Sequence, residues 1–515
     1  MAAGERTGKC INIGNCSLAD KREVIVTKPG TDFVCPECGK ALLALPAVPG
    51  GGGGNRRTAI IAGALALLVL LAAGLWFGLH GRKMASGGAG DSTIAAVPDG
   101  VEPVLRLGGS NTIGAKLAPA LVAGYFKSLG CADPVTSSPA AEESVVRCET
   151  GGKTLVATIA AHGSATAFKG LADASLDIGM ASRKIKADET TSLAKLGDMT
   201  APSNEHVLGL DGIAVIVHPG NRIASLTIDQ VGAIFTGVIT DFAKAGGAAG
   251  PIKVLARDDK SGTYDTFKSL VLGKTPLVDG AKRFEDSAAL STEVANDPAA
   301  IGFVGLATIG GAKAVAVGPA SGVSLIPNRM TVATEDYILS RRLYLYVAAS
   351  STKPDVARFL QFANSPEGQK LVEAAGFVPL TIRQEKSAAP SGAPSGYDTL
   401  VAKALRLSVN FRFRTGSADL DNRALADLDR VTEFLASSSV QPDRLMLLGF
   451  ADSRGGEAMN QKLSEGRAQT VAAALAQRGV KAGVVRGFGT AIPIADNNTP
   501  EGQEKNRRVE VWVAR

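Results

Sequence analysis

IKVLARDDKSGTYDTFKSLV, residues 252–271, passes from a strand-like apolar run through small hydroxyl residues into a helix-like pattern. Arg257 ends the strand, and Ser261, Gly262 and Thr263 open the helix, so one junction presents a guanidinium beside unblocked backbone amides. Two more junctions share this form. In VLRLGGSNTIGAKLAPALVAGYF (104–126), Ser110 and Thr112 begin a helix expected to bury Ile113, Leu117 and Leu121. In VATIAAHGSATAFKGL (156–171), Ser164 stands at the turn. Each junction would aim free N–H groups at one point, and an anion site is the simplest reason to build three of them. Taken singly, each Ser or Thr also reads as an ordinary helix cap.

A chain of 515 residues implies about three folded units. Hydrophobic residues at 45% and charged residues at 20% describe globular material, and a net charge of +6 is too mild for nucleic-acid binding as a main function. Residues 58–79, TAIIAGALALLVLLAAGLWFGL, are uncharged. At helical rise they extend about 33 Å, enough to cross a bilayer. Arg56 and Arg57 before this stretch match Arg82 and Lys83 after it, so flanking charge does not orient the expected span. A Pro/Ser-rich stretch at 385–402 reads as a solvated linker. The chain thus divides into a cysteine module (1–45), a span (58–79), a long α/β-patterned domain (102–384), the linker, and a terminal domain (403–515).

Cys10 and Cys16 precede a Cys35-Pro36-Glu37-Cys38-Gly39 knuckle, whose tight turn lets two thiolates face one tetrahedral ion. A structural zinc held by these four cysteines is expected, two disulfides being the alternative. Reduced thiolates place this end in the cytosol. Cys131 and Cys148 lie together in a later segment, where an oxidising compartment would allow a disulfide; two buried thiols are the alternative. In the terminal domain, Leu407 to Arg414 and Arg508 to Ala514 alternate with period two, as half-buried strands do. Helical patterns through Leu425, Leu428, Val431 and Leu435 and through Leu463, Val471 and Leu475 lie between them, an α+β arrangement.

From 104 to 380 the sequence resembles the substrate-binding proteins of phosphate ABC transporters, through SNTIG, GSATAFKGLADASLDIGMASR, LDGIAVIVHPGN, LTIDQVGAIFTGVITDF, RDDKSGTYDTF, DPAAIGFVGLA and SRRLYLYV. The resemblance implies a two-lobed α/β periplasmic-binding-protein fold closing on phosphate or a related oxyanion. Its ligands fall on Thr112, Ile113 (backbone), Ser164, Arg257, Ser261, Gly262 and Thr263. The family aspartate that accepts from protonated phosphate is Ser182 here, followed by Arg183, which leaves the anion's identity open. GFADSRG, NQKLSEGRA and GFGTAIPIADNNTPEGQEKNRRVEVWV resemble the OmpA-like peptidoglycan-binding domain. That resemblance implies that Asp452 and Arg467 grip the ammonium and carboxylate of diaminopimelate, with Asn460, Asn506 and Arg507 shaping the pocket. A structural ion pair is the alternative for Asp452 and Arg467. The family's histidine-threonine before the aspartate is Phe450-Ala451 here.

Because such a wall lies outside the inner membrane, these resemblances imply a Gram-negative, single-pass envelope protein, its N-terminus cytoplasmic and its large domains periplasmic. The expected function is a wall-tethered oxyanion receptor for uptake or sensing, with an ABC permease or an envelope sensor as partner. The alternative is a structural link from membrane to wall whose middle domain no longer binds anion. An enzyme is not expected, since the outer domains show no nucleophile–base pair and the four histidines, His80, His162, His206 and His218, lack metal-ligand spacing.

Overall fold

Leu105 and Leu107 are buried on one face of Leu105–Gly109 and Gly108 packs against Leu176 on the other, which suits a central strand. It runs parallel to Lys153–Ala160 on one side and Ile178–Ala181 on the other. This is the first lobe, whose core gathers Leu107, Leu117, Ile159, Ile178 and Phe359. In the second lobe Lys253–Arg257 runs parallel to Lys282–Phe284 and Ala300–Gly305. Phe235, Phe267 and Phe303 cluster at its centre, the last two stacked with centroids 3.9 Å apart. Each such fully buried ring contributes about 1.5–3 kcal/mol. Two antiparallel strands carry the chain between the lobes: Glu205–Val217, paired with Ala300–Gly305, and Ser340–Tyr346, paired with Ile178–Ala181. The computed structural model describes residues 6–9, 24–27, 33–38, 42–44, 97 and 100–515, apart from 260, 391, 415–418 and 439.

The terminal domain is a five-stranded sheet in the order Gln384–Glu385, Ala404–Arg412, Arg508–Ala514, Leu445–Gly449, Val484–Gly487. Helices Asn422–Ser437 and Glu457–Ala476 cover it through Leu428, Val431, Val471 and Leu475. The 385–402 stretch, expected as a solvated linker, is largely built into this domain. Gln384–Glu385 forms its edge strand, and helix Ser395–Val401 buries Tyr397 and Val401 against Phe450 and Trp512. Tyr397 also donates to Glu510 Oε2 at 2.7 Å. Proline and serine composition hid these two anchoring side chains.

A disulfide joins Cys131 to Cys148, with Cα atoms 6.3 Å apart. The N-terminal unit forms its own body. Arg6–Lys9 pairs antiparallel with Val24–Thr27 and Leu43–Ala44, and Cys35 is buried beside Leu42. Cys10, Cys16 and the 58–79 stretch lie outside the described residues. Among the described residues, no helix is long and apolar enough to cross a membrane, and no group of three metal-ligating side chains gathers.

The receptor-like and terminal domains meet through buried charge. Glu335 and Asp336 sit just before strand Ser340–Tyr346, both nearly inaccessible. Glu335 accepts from Arg342 NH2 at 2.8 Å and from Arg412 Nε at 2.9 Å, and Arg423 lies 3.3 Å away. Burial alone would raise the Glu335 carboxyl, but Arg342, Arg423 and Arg412 outweigh it and hold it well below its ordinary range. Asp336 accepts from Arg406 at 2.6 Å and from Asn410 at 2.7 Å. Lys505 donates to Ile338 O at 3.1 Å in the same junction.

Burial, with help from Arg412, pushes the Lys505 ammonium down to about 8 from 10.5. Between those values the unfolded chain binds a proton that the folded chain has lost, so stability rises with pH across that window and is flat below it. The unfolding free energy of the full chain, read from urea melts, is expected to climb from pH 8 to 10 relative to Lys505→Met, by no more than about 1.4 kcal/mol per pH unit. Parallel curves for the two proteins would show that Lys505 is not so perturbed.

Candidate functional site

A cavity of about 240 Å³ lies between the lobes. The first lobe contributes Asn111, Thr112 and Lys116, the crossing strand contributes Asp211, and the second lobe contributes Arg257, Ser261, Gly262, Thr263 and Ser287. Local chemistry places them. Helix Asn111–Gly114 starts directly after Leu105–Gly109, turning Thr112 to the cleft. Helix Gly262–Phe267 follows Lys253–Arg257 in the same way, capped by Ser261, whose Oγ accepts from Tyr264 N at 3.4 Å. The cap reading therefore applies to the Ser261 side chain, while the helix's first amides stay available to the cavity.

The lobes are in close contact. A Cβ built on Gly262 would fall 2.6 Å from Thr112 Cα, so only glycine permits this approach. Arg257 has its donors turned onto protein: Nε to Phe284 O at 3.2 Å, NH2 to Glu285 O at 2.7 Å, and NH1 to Ser287 Oγ. Burial lowers its guanidinium's pKa, with Asp258 opposing. Ser164 and Ser182 pair with each other instead of reaching the cavity: Ser182 N donates to Ser164 Oγ at 3.0 Å. Arg183 closes on Glu189 at 2.6 and 2.7 Å. Ile113 is fully buried in the first lobe's core.

Sequence reasoning missed Arg341. It lies behind the lining, only 8% exposed, and donates from NH2 to Thr112 Oγ1 at 2.7 Å and to Gly262 O at 3.3 Å, spanning both lobes. Burial lowers its pKa, with Asp211 at 3.5 Å and Asp265 at 3.8 Å opposing. Its Nε makes no hydrogen bond, and neither does the wholly buried Ser110 Oγ. The one signal for Arg341 was a doubled arginine at the head of an otherwise apolar strand, SRRLYLYV.

A second polar cluster forms at the end of strand Leu445–Gly449 in the terminal domain. Asp452 Oδ1 accepts from Arg454 N at 2.9 Å and Oδ2 accepts from Arg507 NH1 at 2.8 Å, so its ion pair is with Arg507 and not Arg467. Arg467, over the Phe413 ring, donates only a long bond to Phe450 O at 3.3 Å. Burial and then Arg507 lower its pKa, with Asp452 opposing. Arg507 Nε and NH2 and Asn460 Oδ1 have no hydrogen-bond partner. Asn506 instead holds a loop, accepting from Ile494 N and Ala495 N and donating to Ala495 O.

Residues 138–367 match the PBP superfamily domain and residues 412–507 match the OmpA family. The chain is thus a two-lobed binding-protein domain joined to an OmpA domain. Phosphate-binding protein PstS of Pseudomonas aeruginosa is 30% identical over 253 residues, covering 45% of this chain and 76% of that protein. The chain therefore belongs to the PstS phosphate-binding protein family. Outer-membrane lipoprotein YfiB of the same organism is 46% identical over 77 residues, covering 15% of this chain and 46% of that one. A crystallised ABC-type phosphate transport receptor from Vibrio cholerae is similar at 22% identity and a TM-score of 0.42, covering 53% of this chain and 99% of that one.

The Gly262 contact leads to a test of closure that needs no ligand. Gly262→Ala is expected to hold the lobes apart, enlarging the radius of gyration in small-angle scattering while leaving each lobe folded by circular dichroism. An unchanged scattering profile would mean that the lobes close without this contact.

Proposed function

We propose that the protein is an envelope-anchored receptor for phosphate or a related oxyanion, held to peptidoglycan by its OmpA domain and acting by lobe closure without chemistry on its ligand. The observation that carries this reading is the meeting of Thr112 and the first turn of helix Gly262–Phe267 at one interlobe cavity, with the buried Arg341 guanidinium behind them bonded to Thr112 Oγ1. Backbone amides and a desolvated arginine replace an anion's hydration, and closure is driven by contacts made only when both lobes engage. Asp211 in the lining disfavours a fully ionised anion and accepts from a protonated one, so phosphate is the preferred ligand. In the OmpA domain, Asp452 with the exposed edge of Arg467 suits the zwitterionic end of diaminopimelate. Resemblance in sequence supports this assignment.

The remaining parts of the proposal rest on the sequence. Residues 58–79 form a single inner-membrane span. Cys10, Cys16, Cys35 and Cys38 hold a structural zinc in a cytoplasmic module, and the outer domains serve an ABC permease or a sensor from the periplasm. A second reading, a structural tether without anion binding, is favoured by the commitment of all three Arg257 nitrogens to protein acceptors.

Calorimetric titration of the full chain, stripped of ligand, with phosphate and sulfate separates the two. Receptor function predicts phosphate binding that Arg341→Met weakens at least tenfold, a loss of about 1.4 kcal/mol or more. No heat with either anion from folded protein leaves the tether. For the wall site, Arg467→Ala is expected to abolish co-sedimentation with peptidoglycan sacculi while shifting the melting temperature little, since the side chain has one weak protein hydrogen bond. Retained co-sedimentation would remove Arg467 from the wall contact.

A further inference from the structure

The OmpA domain is not appended to one lobe; it touches both, on either side of the crossing strands. On the second lobe's side, Arg406 and Arg412 grip the Glu335–Asp336 corner, and Pro493 O accepts from Val323 N at 3.2 Å. On the first lobe's side, Asn422 Nδ2 donates to Thr200 O at 2.8 Å and Glu205 Oε1 at 2.9 Å. Arg430 NH2 donates to Asn364 Oδ1 at 3.1 Å. Hinge opening changes the spacing between the Glu335–Asp336 corner and Thr200 and Asn364, so a rigid domain bonded to both cannot keep both sets of contacts.

Two short segments connect this interface to the two sites. Along strand Ser340–Tyr346, successive side chains face opposite ways. Arg341 enters the cleft, donating to Thr112 Oγ1, while Arg342 enters the interface, pairing with Glu335 and with Asp421 at 2.8 Å. In the helix Pro500–Asn506 that leads into the last strand, Lys505 reaches the interface through Ile338 O, and Arg507, two residues on, pairs with Asp452 of the wall site. No gap longer than two residues separates either site from the interface.

We infer that the OmpA domain is a strap across the receptor's hinge, holding the lobes closed and coupling occupancy of the interlobe cavity to binding of the wall peptide. Contacts made to both lobes exist only in the closed arrangement, so they shift the hinge equilibrium toward it. A ligand that favours closure and a ligand that orders the strap then strengthen one another by the same factor. The coupling rests on the function proposed above; the strap itself does not.

The test compares the full chain with Asn422→Ala/Arg430→Ala, and with Asn364→Ala, which removes Arg430's partner from the receptor's side. Amide exchange over residues 110–117 and 261–267 is read first without ligand. The strap predicts several-fold faster exchange in both segments of both variants, with melting temperature retained. Unchanged exchange overturns it, whatever the cavity binds. Inorganic phosphate is then titrated with and without a soluble diaminopimelate-containing muropeptide. Phosphate should bind roughly five- to tenfold tighter with the muropeptide in the unaltered chain, and equally with and without it in the double variant. Equal affinities in the unaltered chain overturn the coupling. Faster exchange in the variants with no phosphate binding in any form supports the strap and removes the receptor function instead.

Discussion

Two adjacent carboxylates, Glu335 and Asp336, determine how the two large domains sit together. Both are almost wholly buried, and a buried carboxylate without partners is costly. Here five arginines approach them. Arg342 comes from the receptor, while Arg406, Arg412, Arg423 and Arg508 come from the OmpA domain. Removing the OmpA domain would leave the receptor with an acidic corner paired only with Arg342. Glu335 also has φ +59°, a strained backbone for a non-glycine residue, which the surrounding bonds must hold in place. An apolar patch would tolerate sliding between the domains, whereas directional charge pairs of this kind fix one register.

The same economy governs both sites. Each lies where a strand ends against a helix, so that side chains come from rigid elements and the helix supplies free amides or a long polar side chain. At the interlobe cavity the result is a small space lined by Thr112 and the start of helix Gly262–Phe267, with the buried Arg341 guanidinium behind the lining. In the terminal domain's polar cluster a buried Asp452–Arg507 pair lies within electrostatic range of the partly exposed Arg467, whose own protein contacts are few. In both places an arginine within the protein's own network orients a neighbouring polar side chain, Arg341 holding Thr112 and Arg507 holding Asp452.

How far the sequence disclosed this depends on whether the determining contacts are local. The strand-to-helix junctions at Thr112 and at Ser261 to Thr263 were visible because periodicity changes within a few residues, and the structure brings those two together at one cavity. The α+β pattern of the OmpA domain was visible for the same reason. Ser164 stands at a similar junction, yet it bonds to Ser182, a choice that depends on packing between segments 18 residues apart. Arg341 and the Glu335–Asp336 corner left almost no signal. Their partners lie far along the chain, and charge pairing across such distances imposes no period on the sequence. The 385–402 stretch misled for a compositional reason, because proline and serine dominate while two buried residues, Tyr397 and Val401, decide its fate.

The strengths of the two halves of the domain contact differ, and that difference says how the molecule would move. Toward the second lobe the contact is a buried network of charge-assisted bonds, where losing one partner leaves another charge desolvated. Toward the first lobe it consists of hydrogen bonds from Asn422 and Arg430 and the Glu205 carboxylate, which burial raises above its ordinary range against the pull of Lys184 and Tyr346. Part-buried hydrogen bonds of this kind contribute about 0.5–3 kcal/mol each, the upper end where a charged group takes part. Opening should therefore break the first-lobe side and leave the OmpA domain riding with the second lobe. A contact of that size is within the 1–3 kcal/mol over which sites are commonly coupled, enough to bias a hinge without locking it.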